Sequence, residues 1–215
     1  MNKTYQIFCL VLVLLAPMAF STSVVKLNLS EMTSKSDYIG KGIVEKKYSL
    51  WEQNNTKIYT YTAVKMSKNY KGSGSKVVVK TLGGRVDEII MRVPGQAKFN
   101  ENEEVLLFLE KNKKDIMSIN KNLGISNYEA AHIGEYEIVG LSQGKFSIKE
   151  GGGEKIVYNG ESFELELVTR QGMEKMELRA IPLDEFEKQI YNNLGHKEKG
   201  IFHLIKDFIL NIFNF

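Results

Sequence analysis

The alternation of apolar and polar positions predicts a series of short strands, and the longest apolar run lies near the middle of them. Residues 85–109 read RVDEIIMRVPGQAKFNENEEVLLFL: an alternating strand, a break at Pro94 and Gly95, a polar turn and the run VLLFL. Five apolar residues bounded by turn signals are typical of a strand that is buried on both faces. We therefore expect residues 105–109 to form the centre of a β barrel or sandwich.

The strands on either side are predicted by stricter alternation. In KIYTYTAVKMSK, residues 57–68, tyrosines and a lysine occupy one face. The other face carries Ile58, Thr60, Thr62, Val64 and Met66. Further strands are expected at residues 37–47, 76–82, 156–158 and 162–169. Residues 136–141 and 145–149 are expected to pair with each other around a Ser-Gln-Gly turn.

Two segments have the signals of helices. Asn28, followed three residues later by Glu31, is a capping pattern that predicts a short helix at about residues 30–36. From Pro182 the apolar spacing becomes helical, and Gly195 follows the last apolar position. Residues 200–215 form a second candidate helix, and residues 173–178 are open to either strand or helix.

These elements predict a mainly β fold. An open Greek-key barrel of the oligonucleotide/oligosaccharide-binding type with C-terminal helices fits best, and a β sandwich is the alternative. We expect a barrel domain at residues 24–180 and a helical tail at residues 181–215.

The amino terminus has the pattern of a secretory signal peptide, residues 1–23. Lys3 precedes nine apolar residues at positions 7–15, and small residues follow. The apolar stretch is shorter than the roughly 20 residues of a membrane span. We therefore expect a secreted or periplasmic protein. Its single cysteine, Cys9, lies within the signal, so the mature chain has no thiol for catalysis or metal binding.

Composition and charge are those of an ordinary globular domain. Hydrophobic residues make up 43% and charged residues 26%, and 29 basic against 26 acidic residues give a net charge of +3. The basic residues are scattered among the acidic ones and form no stripe. This pattern argues against a nucleic-acid partner.

The order of several segments resembles a known family. SDYIGKGIVEKK, IYTYTAVKMSKNYKG, KVVVKTLGG, FNENEEVLLFLEKN and YEIVGLSQGKFSI follow one another as in an uncharacterised family of secreted bacterial proteins. The layout is also similar to the netrin-like module of the tissue inhibitors of metalloproteinases. The resemblance covers about residues 36–149, and it implies a netrin-like barrel of the oligonucleotide-binding type.

The resemblance does not extend to the chemistry of those inhibitors. They chelate the catalytic zinc of a protease through an amino-terminal cysteine, whereas this mature chain would begin near Thr22 or Val24 without one. Inhibition of a protease would therefore need another mechanism.

Catalytic and metal motifs are not evident. His132, His196 and His203 have no metal-binding spacing, so we predict no metal and no cofactor. The serines lie in no nucleophile elbow. The acidic pairs Asp87-Glu88 and Glu103-Glu104 are strand neighbours, whose side chains point to opposite faces.

The candidate contact residues are aromatic. Tyr59, Tyr61 and Tyr70 lie beside lysines, and Phe208 and Phe213 lie in the apolar tail. The tail at residues 201–215 would dock on the barrel, on a partner or in a membrane interface.

We therefore predict a non-enzymatic binding module of the cell envelope, with a protein or glycan partner and, as a narrower version, a protease-inhibitor-like role. The alternative is a hydrolase whose triad is scattered in the sequence. That alternative requires a histidine buried against a carboxylate.

Overall fold

The computed structural model describes residues 23–52, 56–112, 135–159, 166–169, 172–175 and 180–195. Most of the predicted signal peptide, at residues 1–22, lies outside the described residues. So do the second candidate helix, with Phe208 and Phe213, and all three histidines, His132, His196 and His203. The predicted division into domains stays a prediction.

Within these residues the protein is mainly β, as predicted. The helices are α1 (Leu29–Lys35) and α2 (Leu183–Asn193). The strands are β1 (Ser23–Val25), β2 (Tyr38–Trp51), β3 (Ile58–Lys71), β4 (Lys76–Leu82), β5 (Gly84–Val86), β6 (Ile89–Met91), β7 (Glu104–Lys111), β8 (Glu135–Ile138), β9 (Lys145–Gly151), β10 (Glu154–Tyr158), β11 (Glu166–Thr169), β12 (Gly172–Lys175) and β13 (Ile181–Pro182).

Strand β7 lies at the centre of the fold, as the apolar run predicts. It pairs with β2 along one edge and with β8 and β9 along the other. Its residues 105–109 are all 0% exposed. Alternate side chains enter two different cores, with Leu107 in the first and Phe108 in the second. Burial on both faces explains why this strand is apolar throughout rather than alternating.

The pairing of five strands runs round in a ring. Strand β2 pairs with β3, β3 with β4, β4 with β8, β8 with β7, and β7 returns to β2. The contact between β4 and β8 spans only two residue pairs, Val78 with Glu135 and Val79 with Tyr136. The barrel is therefore not clearly closed. The β sandwich would need two facing sheets, whereas these strands belong to one hydrogen-bonded sheet.

Two hydrophobic cores hold this sheet. The first lies inside the ring and includes Val44, Val64, Val77 and Leu107. The second lies outside it, between β7, β9, β10 and the two helices, and includes Leu106, Phe108, Ile148, Phe186 and Ile190. Burial of this apolar surface supplies most of the driving force for folding.

The predicted pairing of residues 136–141 with residues 145–149 is wrong. Strands β8 and β9 both pair with the same edge of β7, one after the other. Residues 139–144 form the turn that connects them, and Gly140 and Leu141 adopt left-handed backbone conformations there. The alternation correctly indicated two strands, but β7 offers them an apolar partner that satisfies both.

Both predicted helices in the described residues are confirmed. The Asn28 side chain accepts a hydrogen bond from the Glu31 amide, and the Glu31 side chain accepts one from the Asn28 amide. Helix α2 begins after Pro182 and buries Leu183, Phe186 and Ile190 against the second core. The stretch open to strand or helix forms a strand at its start, since β12 pairs with β11.

Candidate functional site

Two of the three predicted contact tyrosines lie together on the outer face of β3. The Lys80 ammonium lies 4.3 Å from the ring centroid of Tyr59 and 5.6 Å from that of Tyr61. The buried Glu135 carboxylate lies 3.5 Å from the same ammonium. A cation held between aromatic rings and a carboxylate stabilises the packing of β3, β4 and β8. Because Tyr61 is only 4% exposed, it offers little surface to a partner.

The pKa values of Lys80 and Tyr61 in this cluster are both raised further above neutral pH. Burial opposes the charge on Lys80, but Tyr61 and Glu135 outweigh it and raise the pKa of the ammonium. Burial also raises the pKa of Tyr61, against the opposing effect of Lys80. Both groups therefore keep their protons at neutral pH. Proton transfer at neutral pH needs a group that titrates there, and neither does.

Tyr70 lies apart from the other two tyrosines. It follows Tyr61 by nine residues, or about 30 Å along an extended strand. Its hydroxyl donates a hydrogen bond of 2.6 Å to Glu187 on α2, and its ring meets Tyr191 edge-on with centroids 5.7 Å apart. Burial, followed by the contact with Glu187, raises the pKa of Tyr70. The three tyrosines therefore form no common face, and their role in binding stays a prediction.

A cleft that the sequence does not reveal lies at one end of the ring, and we call it the mouth cleft. It has a volume of about 1000 Å³, at the upper end of the range for small-molecule sites. Its floor is formed where β2 ends, β3 begins and β4 ends. Its walls are the β5–β6 hairpin and the loop of residues 92–99.

A row of hydroxyls crosses the floor of the mouth cleft. The strand register places Ser49 opposite Thr60, and Thr60 opposite Thr81. The Thr60 hydroxyl donates to the Gly83 carbonyl at 2.7 Å and lies 2.8 Å from the Ser49 hydroxyl. Because the one proton of Thr60 goes to Gly83, Ser49 is the donor to Thr60. Within the described residues this leaves the lone pairs of Ser49 for an occupant.

Thr62 lies one step deeper and lacks a partner. It faces inward beside Lys47 and Val79, lines the mouth cleft and is 0% exposed. Its hydroxyl makes no hydrogen bond to any group in the described part of the chain. Most buried hydroxyls in proteins are paired, and an unpaired one costs about 1–3 kcal/mol. Because no surface of Thr62 is accessible, an occupant of the mouth cleft does not reach this hydroxyl, and Thr62 closes the floor beneath the row of Ser49, Thr60 and Thr81.

A β bulge turns Lys47 towards this site. The pairing of β2 with β3 shifts by one residue between Val44 and Lys46, so Lys47 rather than Lys46 falls opposite Thr62. The Lys47 ammonium donates a hydrogen bond of 3.0 Å to the carbonyl of Phe99 on the loop wall. An extra residue in a strand commonly redirects side chains in this way.

The rim of the mouth cleft is positively charged. Lys47, Arg85, Arg92 and Lys98 line it against a single carboxylate of the described lining, Asp87. Arg85 donates to the Asp87 carbonyl at 2.9 Å and lies 3.8 Å from the Glu88 carboxylate. Among the described residues no carboxylate pairs with the exposed Arg92. A concave surface with an excess of one charge concentrates ligands of the opposite sign.

A buried ion pair fixes the loop wall to the barrel. The Lys145 ammonium, in a side chain that is 2% exposed, lies 2.9 Å from Glu103 and donates to the Lys98 carbonyl at 2.6 Å. The Asn100 amide donates to the other Glu103 oxygen at 2.9 Å. Burial opposes ionisation of Glu103, but its hydrogen bonds outweigh burial and lower the pKa of the carboxyl. The loop is therefore held by a charged group that stays ionised at neutral pH.

Ser147 joins the same cluster without forming a catalytic arrangement. Its hydroxyl donates to the Glu103 oxygen that Lys145 also binds. Ser147 and Lys145 lie two residues apart on β9, so both side chains point to the same face and bind the Glu103 carboxylate. The serine therefore supports the ion pair between Lys145 and Glu103. The hydrolase alternative needs a histidine, and all three histidines lie outside the described residues.

Glu103 and Glu104 diverge as predicted, since Glu103 binds Lys145 and Glu104 binds Lys155 at 2.7 Å. The premise that both pairs are strand neighbours was wrong, because Asp87 and Glu88 form the turn between β5 and β6 and Glu103 precedes β7. Within the described ranges, no cluster of three histidine, cysteine or acidic side chains has the arrangement to hold a metal ion. In the same ranges no helix has the length and apolar character to cross a membrane.

The sequence contained part of the signal for the mouth cleft. Thr60 and Thr62 were predicted to share one face of this strand with apolar residues, and the structure shows that this face points inward. Two adjacent hydroxyls on an inward face indicate that the interior becomes polar towards one end. Ser49, Thr81 and Lys47 join them only through the register and the bulge, which the alternation does not specify.

Comparison with known proteins adds no relative to this picture. No protein-family model matches the chain, and no curated protein matches it. The arguments about function therefore depend on the geometry of the chain itself.

Proposed function

We propose that this protein is an exported, non-enzymatic binding module of the cell envelope whose ligand occupies the mouth cleft. The cleft of about 1000 Å³ carries the proposal, because it combines the Ser49 hydroxyl on its floor with the exposed Arg92 at its rim. A few polar groups placed in a concave site are what orients a bound small molecule.

The lining favours binding over catalysis. Among the described residues that line the mouth cleft, Asp87 is the single carboxylate, and it lies at the exposed rim. General acid–base chemistry needs a titratable group within hydrogen-bond reach of the reacting atoms, whereas Asp87 lies in the turn between β5 and β6. Hydroxyls on the floor and cations on the rim instead supply fixed hydrogen bonds and charge, which are the features of a recognition site.

Export is the second part of the proposal, and the pattern of residues 1–23 supports it. Amino-terminal sequencing of the protein recovered from the producing cells tests it. We expect a mature chain that begins near Thr22 or Val24, in the envelope or medium. A chain that keeps Met1 and stays in the cytoplasm would contradict export.

Photo-cross-linking in the producing cells tests the binding site. A photoreactive benzoylphenylalanine replaces Gln96, on the loop wall of the mouth cleft, and a second variant carries it in place of Ser34. Ser34 is a matched control because it is exposed on α1, outside the lining. We expect an adduct of defined mass from position 96 and none from position 34.

Two results would count against the mouth cleft as the binding site. Absence of an adduct at position 96 would show that nothing occupies it in the cell. Equal adducts at both positions would show non-specific contact. Because the cross-link forms with sugar and peptide bonds alike, the outcome does not depend on the class of ligand.

A further inference from the structure

We propose that the occupant of the mouth cleft is an acidic oligosaccharide, a ligand rich in hydroxyls that carries carboxylates. This inference rests on the proposed function and names its ligand class. Three observations carry it: the face of the sheet that forms the floor, the hydroxyls on that face, and the charge of the rim.

The floor offers side chains rather than backbone. It is formed by the inward faces of β2, β3 and β4, and the central strand β3 is paired on both edges. The far end of β2 is paired with β3 alone, so a peptide added as a strand would lie along that outer edge and not across the floor. An occupant of the floor must therefore take its hydrogen bonds from the hydroxyls.

Those hydroxyls match a ligand that donates at the floor. Ser49 retains acceptor capacity after donating to Thr60, whereas the Thr62 hydroxyl is inaccessible. A hydroxyl donates one hydrogen bond and accepts two, as each sugar hydroxyl does. A sugar hydroxyl can therefore donate to Ser49, which a purely accepting anion cannot do.

The rim selects for negative charge. The guanidinium of Arg92 has no carboxylate partner among the described residues, and Lys47 and Lys98 also line the mouth cleft. An arginine fork binds carboxylates with two parallel hydrogen bonds. The carboxylates of the oligosaccharide are therefore expected at the rim, with its hydroxyls towards the floor.

The aromatic content of the lining argues against single-stranded nucleic acid. Such ligands need several exposed rings on which successive bases stack. In the described lining the rings are Tyr48, which falls opposite Tyr61 and so lies on the outer face, and Phe99, which is buried with the Lys145 ammonium 5.2 Å from its centroid. Neither ring offers bases a surface for stacking inside the mouth cleft.

Calorimetric titration of the mature protein tests the ligand class. The probes are trigalacturonate, trimannuronate and a hyaluronan tetrasaccharide, each beside its neutral methyl ester, with triglutamate and inorganic sulfate as further anions. We expect at least one acidic sugar to bind about tenfold more tightly than its ester and than triglutamate or sulfate. The affinity should fall as sodium chloride rises from about 50 mM to about 500 mM.

Two substitutions link that binding to the mouth cleft. Ser49→Ala should weaken binding of the acidic sugar about tenfold, because it removes the acceptor on the floor. Ser142→Ala removes a buried hydroxyl outside the lining and should leave the affinity unchanged. Arg92→Gln should weaken binding and reduce its dependence on salt.

Each contrary outcome identifies what fails. If no acidic sugar binds while position 96 still gives a cross-link, the ligand class is wrong and the binding site stands. Tighter binding of triglutamate would assign the mouth cleft to acidic peptides, and equal binding of sulfate would reduce it to a simple anion site. Absence of both cross-link and binding would remove the proposed function as well.

Discussion

Thr62 buries a hydroxyl that finds no partner in the described part of the chain, at the floor of the mouth cleft. Removing that hydroxyl while keeping the shape of the side chain should relieve its desolvation cost. We expect Thr62→Val to raise the free energy of unfolding by about 1 kcal/mol in the absence of ligand, measured by urea denaturation.

Ser142→Ala is the matched control for this gain. Ser142 is the other buried hydroxyl without a partner in the described residues, so its removal should also stabilise the protein slightly. A loss of stability with Thr62→Val alone would contradict the account. It would mean that the Thr62 hydroxyl is already bonded in the free protein.

Gly84 allows the β5–β6 hairpin to approach the floor. Its φ is +144°, a conformation that other residues rarely adopt, and a Cβ there would overlap the hydroxyl of Thr60. We expect Gly84→Ala to lower the free energy of unfolding by about 3 kcal/mol, from backbone strain and from steric overlap together.

Gly152→Ala separates the two effects. Gly152 has a φ of +64°, but a Cβ there meets nothing within 4 Å. This variant should lose only about 1 kcal/mol. Equal losses in the two variants, measured by the same denaturation, would show that the hairpin does not press on the floor.

Among the elements, the loop wall depends on the ion pair between Glu103 and Lys145. Glu103→Gln leaves the Lys145 ammonium buried without its counter-charge, so we expect the free energy of unfolding to fall by about 3 kcal/mol. Glu104→Gln is the control, because its pair with Lys155 is exposed and worth less than about 1 kcal/mol.

The same ion pair should make the free energy of unfolding decrease at acidic pH. The folded pKa of Glu103 lies below the ordinary value of 4.5, so its stabilisation is complete above that pH and is lost as the pH falls through the folded value. Glu187 on α2, whose pKa is lowered in the same direction, adds to the slope. Glu103→Gln should flatten the loss of stability below about pH 4.5. An unchanged acid profile would contradict this.

The elements that local sequence determines were predictable. The capping pattern at Asn28 and Glu31, the helical spacing after Pro182 and the apolar run at residues 105–109 each report a local environment, and each is confirmed. The pairing of β8 with β9 was wrong, because the choice of partner depends on β7, which lies far away in sequence.

The candidate site could be predicted only in part, for the same reason. Thr60 and Thr62 were assigned to one face of β3. The row they form with Ser49 and Thr81, and the turn of Lys47 towards the floor, require the register of three strands and a bulge. Register is a property of tertiary packing, and an alternating pattern does not report it.

At the scale of the whole molecule, the apolar tail is a separate prediction from the sequence. Deletion of residues 200–215, which removes Phe208 and Phe213, should release the protein from membranes if the tail lies in an interface. Fractionation of producing cells measures this, with the full chain as reference. Unchanged fractionation would leave docking on the barrel or on a partner.

The most direct test of the mouth cleft as the binding site is a nuclear magnetic resonance titration of the mature protein. The ligand added is the glycan fraction extracted from the envelope of the producing cells. The account predicts that the shifted signals cluster at Ser49, Thr60 and Gly84 and that Ser49→Ala weakens the response. Shifts centred on Tyr59 and Tyr61 instead would return the binding site to the outer face of β3 and contradict the account.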